Sequence, residues 1–161
     1  MGAPWRRSAV NSSVVAYAGT MLLMLGGGEM MARPTSRSTV VDVTGCYAID
    51  GDTLRCGRTR VRLLGIDAAE KPGHCRQGRV CAPGDPFTQR AALQRLAGGR
   101  LTIDPVKQDK FGRLVAVVHA SSGGNLSCQM LQAGASYVAR WDDGKRIWRS
   151  CTRIARTANQ L

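Results

Sequence analysis

All six cysteines of this chain, Cys46, Cys56, Cys75, Cys81, Cys128 and Cys151, lie beyond residue 45. An even number gathered into one stretch reads as a disulfide framework tying a small domain in an oxidising compartment. Six thiols allow many pairings. Cys75 with Cys81 would staple one loop, Cys46 with Cys56 would face each other across a hairpin, and Cys128 with Cys151 would tie the C-terminal segments together. Zinc is the competing use of cysteine, but there is no Cys-x-x-Cys, and His74 and His119 are the only histidines.

The segment ahead of the cysteines differs in character. Trp5-Arg6-Arg7 precedes an apolar run from Val14 to Leu25, closed by Gly26-Gly27-Gly28. That is the layout of a secretory signal. The run falls short of the roughly 20 apolar residues that span a bilayer comfortably, and it lacks the polar face of an amphipathic helix. Residues 1–39 are therefore expected to be a signal peptide or N-terminal anchor plus linker, and residues 40–161 the working domain. The domain is expected to be secreted or periplasmic, meeting a membrane only through its N-terminal segment if that is retained.

Short β-like runs follow. Val40–Val43, Cys46–Ile49 and Thr53–Cys56 are separated by turn signals, Arg60–Leu63 alternates polar and apolar residues, and Arg100–Ile103 and Leu114–His119 flank the turn Asp109–Gly112. A Gly-, Pro- and Arg-rich loop covers Ala68–Pro86. Helices are expected over Phe87–Leu96, Leu126–Ala133 and Lys145–Ala158, the first two stopped by glycines. The class is α+β: a five-stranded barrel with about three helices.

Charge narrows the partners. The chain carries 23 Lys+Arg against 11 Asp+Glu, a net charge of +12. Residues 1–39 hold four arginines and one glutamate, so the domain keeps +9. A polyanion such as nucleic acid, or an anionic membrane surface, suits that balance. Against this background the few acids stand out. Asp50 and Asp52 sit at one strand end and Asp67 and Glu70 at another, and a hairpin would bring Asp52 beside Asp67. Two unpaired carboxylates in one place repel unless a cation lies between them, and a hard, oxygen-ligated ion such as calcium suits them. An EF-hand does not: Leu54, Arg55 and Val61 stand where that loop needs an oxygen ligand, the glycine and the bidentate glutamate. The simpler alternative is a hairpin turn at Asp50-Gly51 with the other acids solvated.

Asp50-Gly51-Asp52-Thr53, then Val61-Arg62-Leu63-Leu64-Gly65-Ile66-Asp67-x-x-Glu70, then Asp109-Lys110-Phe111-Gly112-Arg113, in that order, resemble the staphylococcal nuclease (thermonuclease) family. The similarity runs from Val40 to about Arg140. It implies an OB-type barrel and calcium-dependent hydrolysis of phosphodiester bonds in DNA and RNA, leaving 3′-phosphates. By motif position, Asp52, Asp67 and the carbonyl of Ala68 would hold Ca2+, Glu70 would orient and deprotonate water, and Arg62 and Arg113 would grip the phosphate. Lys110 and Phe111 would flank the substrate, and Tyr137 or Trp141 would stack on a base or pack in the core. Two departures are visible: Ala68-Ala69 replaces the family's usual Thr-Pro, losing proline's rigidity, and Phe111 lacks the hydroxyl of a frequent tyrosine. No obligate protein partner is evident, and a monomer is expected. The alternatives are a non-catalytic OB-type module that binds nucleic acid and a basic envelope protein contacting lipid.

Overall fold

The computed structural model describes residues 39–151; the expected leader and the part of the third helix beyond Ser150 that runs to Ala158 fall largely outside them. The chain opens with β1 (Val41–Val43), β2 (Tyr47–Ala48), β3 (Thr53–Cys56), β4 (Thr59–Leu63) and β5 (Ile66–Asp67). It continues through α1 (Pro86–Leu96), β6 (Leu101–Gln108), β7 (Leu114–Ala120), α2 (Leu126–Gln132), β8 (Ser136–Tyr137), two 3-10 turns and α3 (Arg146–Ser150). Six strands form a mixed, curled half-barrel sheet in the order β1-β6-β7-β4-β3-β2, and β5 pairs with β8 in a separate ribbon. The architecture is the expected α+β barrel type with three helices. All six runs read as β-like from the sequence are in the main sheet, so it holds six strands where the expected barrel has five.

Residue pattern explains the placement. In β4, Val61 and Leu63 are buried while Arg60 and Arg62 turn to the other face, the two-residue period of a half-covered strand. Central β7 is buried on both faces through Val115–Val118, as a strand between antiparallel β6 and parallel β4 should be. β6 runs five residues past the expected stretch. It passes Pro105 through a bulge at Pro105/Lys107, the kind of irregularity that lets a strand carry a proline.

Helices close the open side. Asp85 caps α1 by accepting from the Thr88 N–H at 2.7 Å, and Pro86 takes the first turn, where its missing N–H costs nothing. Leu93 of α1 and Leu126, Met130 and Leu131 of α2 join Leu54, Leu64, Ile66 and Leu101 in one core. Asp142, itself buried, accepts from the N–H groups of Ile147 and Trp148 and so anchors the start of α3.

All six cysteines are paired: Cys46–Cys56 across the β2–β3 hairpin, Cys75–Cys81 within the loop, and Cys128–Cys151 from α2 to the end of α3. No helix among the described residues is long and apolar enough to cross a membrane. Cys128–Cys151 closes the longest of the three loops, and loop-closure entropy gives such a cross-link about 3 kcal/mol. Replacing both by serine is expected to lower unfolding free energy by about that amount in urea titrations while leaving the native circular dichroism unchanged; an unchanged midpoint would show that the bridge does not restrain the unfolded chain.

Candidate active site

The two acidic motifs meet because β3 and β4 pair so that Thr53 lies opposite Arg62, with the Leu63 N–H donating to the Asp52 carbonyl at 2.9 Å. Asp52 thus sits at the start of β3 beside the β4–β5 turn that presents Asp67. Gly65 makes that turn in the left-handed region, φ +74°, and Gly51 lets the backbones approach, since a Cβ there would stand 2.7 Å from that of Ala68.

Asp52 and Asp67 are almost fully buried, at 4% and 2% exposure. Between them lies the Arg62 guanidinium. Its Nη1 donates to Asp52 Oδ1, and its Nη2 donates to Asp67 Oδ1 at 3.0 Å. Asp52 also accepts from the Thr53 hydroxyl at 2.8 Å and the Ala68 N–H at 3.1 Å. Burial pushes the Asp52 carboxyl up, but Arg62, Asp50 and these donors outweigh it and hold it below the ordinary range. The Arg62 guanidinium is likewise opposed by burial, yet held charged by the two carboxylates. Asp50 shows the opposite balance: burial and the neighbouring Asp52 charge push its carboxyl up to about 7.

Arg79, which no motif pointed to, completes the cluster. It donates to Asp67 Oδ2 and, at 3.4 Å, to Glu70 Oε1, the latter on a half-exposed side chain at the cluster's rim. Its loop is closed by Cys75–Cys81, so the bridge that looked like a mere staple confines the residue reaching the acids. Arg62, Arg79 and Arg140 all lie against the Trp141 ring, at 5.0, 5.4 and 5.2 Å from its centre. A cleft beside them is lined by Arg62, Lys107, Arg113 and Trp141.

Arg113 thus shares a cleft with Arg62 but does not touch the acids. Its Nε donates to Asp109 Oδ2 at 2.7 Å, and Asp109 also accepts from the backbone N–H groups of Phe111 and Arg113, which shapes the turn. Phe111 is half exposed, with Lys110 and Arg113 over its ring at 5.2 and 5.3 Å. Tyr137 is different. It is 5% exposed, donates its hydroxyl to Asp142 at 2.9 Å and packs against Trp148, so it serves the core and presents no ring for stacking. Burial and Asp142 push its phenol up to about 12.

The approach to Glu70 is held by a residue from elsewhere in the chain. Buried Gln89 on α1 accepts from the Ala69 N–H at 2.7 Å and donates to the Gly134 carbonyl at 2.8 Å. A proline at residue 69 has no N–H to give, so a tertiary hydrogen bond here takes the place of proline's stiffness.

Among the described residues no group of three or more His, Cys, Asp and Glu could by itself hold a metal. The donors that do converge are the carboxylate oxygens of Asp52 and Asp67, with the Ala68 N–H turned to Asp52. One guanidinium already supplies the positive charge both acids require, so a hard divalent cation fits the place in sign and ligand type.

A model of the staphylococcal nuclease homologue family matches residues 60–158, more than half of the chain. The match takes in Arg62, Asp67, Glu70 and Arg113 and begins after Asp52. Two curated proteins, from Escherichia coli O157:H7 and from Escherichia coli, each described as an uncharacterized endonuclease, are 31% identical over 94 residues, 56% of this chain. The chain spans 56% of the length of those relatives.

Two outcomes follow from the charge arrangement. Arg62→Met leaves two buried carboxylates without their shared partner and is expected to cost about 3–5 kcal/mol at neutral pH in chelator, measured by urea unfolding; a cost below about 1 kcal/mol would mean the acids find another counter-charge. Asp50 titrates higher folded than its ordinary 3.8, so the stability it contributes is fully present below about pH 4 and is lost as pH rises through about 7. In chelator, Asp50→Asn should therefore be more stable than the unsubstituted protein at pH 8 and lose that advantage towards pH 4.

Proposed function

The chain belongs to the staphylococcal nuclease homologue family, and on that premise we propose that it is an exported, calcium-dependent nuclease that hydrolyses phosphodiester bonds of DNA or RNA and leaves 3′-phosphates. The observation that carries this reading is the pairing of two buried carboxylates through one arginine, with Glu70 at the rim of the cluster and Arg113 in the adjoining cleft. Nucleic-acid binding alone would not call for a buried acidic pair and a third acid at its rim beside an arginine-lined cleft.

Asp52, Asp67 and the carbonyl of Ala68 would hold the ion. When bound, it supplies positive charge at the phosphate and favours ionisation of water. Arg62, which pairs with both acids and also lines the adjoining cleft, would meet the phosphate there. Arg113, steadied through Nε by Asp109, donates to the same group from the other side of the cleft. Guanidinium suits this task because it stays charged and matches phosphate oxygens in pairs. Glu70 accepts the proton of the attacking water as the new P–O bond forms. The bond from phosphorus to the 5′ oxygen breaks, and that oxygen takes a proton from solvent water and leaves as a 5′-hydroxyl.

Three disulfides support an extracytoplasmic site of action, as does the leader-like segment. The +9 domain charge serves to draw the substrate in.

The oxidised domain is expected to degrade DNA with calcium and to stop when the ion is chelated. Glu70→Gln and Arg113→Ala should each lower kcat by about 10²–10⁴, and calcium should raise the melting temperature of the inactive Glu70→Gln protein. Salt-sensitive binding without cleavage in the unsubstituted protein would replace this reading with that of a binding module.

A further inference from the structure

A second depression adjoins the acidic cluster. Its lining includes Glu70 and Asp50 together with Lys71, His74, Phe87 and Arg90. It shares no lining residue with the first cleft, yet both border the same cluster, one through Glu70 and the other through Arg62. The Phe87 ring is 60% exposed at the start of α1 although a large core lies close by. Arg90, one turn on, is anchored by its Nε to the Ala48 carbonyl at 2.9 Å. A cavity of about 190 Å3 is below the roughly 300–1,000 Å3 that encloses a drug-sized molecule, so it suits one base or phosphate of a longer ligand.

Resting on the nuclease reading, we propose that this depression is a second nucleotide subsite, which takes the nucleotide on the opposite side of the scissile phosphate from the Trp141 cleft. An exposed aromatic ring sharing a depression with Lys71 and Arg90 is the chemistry of single-stranded nucleic-acid binding: the ring stacks on a base and the cations meet the neighbouring phosphates. Nothing in the hydrolytic chemistry uses Phe87, Arg90 or Lys71. The geometry therefore has the strand cross the site, with its scissile phosphate at Glu70 and Arg62 and a flanking nucleotide held on each side. Phe87 can stack only on a base released from its own helix, so the favoured substrate is a single strand or a locally unpaired duplex.

The test is fluorescence anisotropy of labelled hexathymidylate in EDTA, where binding is read without cleavage, joined to steady-state cleavage of a long single strand in calcium. Phe87→Ala should weaken hexathymidylate binding about tenfold and raise KM by a similar factor with kcat unchanged. Phe87→Trp should restore both, and Arg90→Ala should weaken binding and flatten its salt dependence. A blunt duplex should bind the parent and both Phe87 variants alike. Phe87 is exposed, so its variants fold as the parent does. If Phe87→Ala binds and cleaves the single strand as the parent does, the subsite is overturned while the nuclease reading stands; if the parent neither binds nor cleaves, both fall.

Discussion

Two carboxylates buried within reach of one guanidinium set the terms for everything around them. Asp52 and Asp67 cannot both stay ionised out of water without a positive charge between them, and Arg62 supplies it from the polar face of β4. That places a demand on the fold. β3 must pair with β4 in the register that sets Thr53 against Arg62, and the chain must turn at Gly65 so that Asp67 comes back beside the same guanidinium. A slip of one residue in β4 would send Arg62 into the core and Val61 to the surface.

Charge is graded across the cluster. Asp52 lies below its ordinary range and Asp50, next but one in the chain, far above it. The arginine and the hydrogen-bond donors reach Asp52, whereas Asp50 gains burial and a like-charged neighbour. One site therefore holds an ionised carboxylate beside a carboxyl that carries a proton until near neutrality. Arg79 adds a third layer, tying Asp67 to Glu70 from a loop that a disulfide keeps short. The arginines and lysines that give the domain its basic character are thus partly consumed in holding its few acids, while Lys71, Arg90, Lys107 and Arg113 line the two depressions.

Support comes from far along the chain. Gln89 on α1 reaches the Ala69 N–H and the Gly134 carbonyl, linking the acidic turn to the end of α2. Asp142 gathers the Tyr137 hydroxyl and the first N–H groups of α3. Each is a buried polar group with its bonds satisfied, which rigidifies the walls of the site.

Local pattern made much of this legible. The alternation in Arg60–Leu63, the glycine turns and the apolar helical faces specify strands and helices by short-range physics, and three ordered motifs carry Asp52, Arg62, Asp67, Glu70 and Arg113. What escaped the sequence was what depends on distant groups meeting. Nothing in the Cys75–Cys81 loop marks Arg79 as the residue that reaches the acids, because its direction is set by how the loop folds over β5. Tyr137 has the composition of a stacking residue, but the hydroxyl found a partner five residues on and burial followed. The sequence by itself determined which charges exist, which strands alternate and which turns bend. Only the tertiary structure decided which charges neutralise each other, because ion pairing and burial act through space, between residues whose separation along the chain says nothing about their separation in the fold.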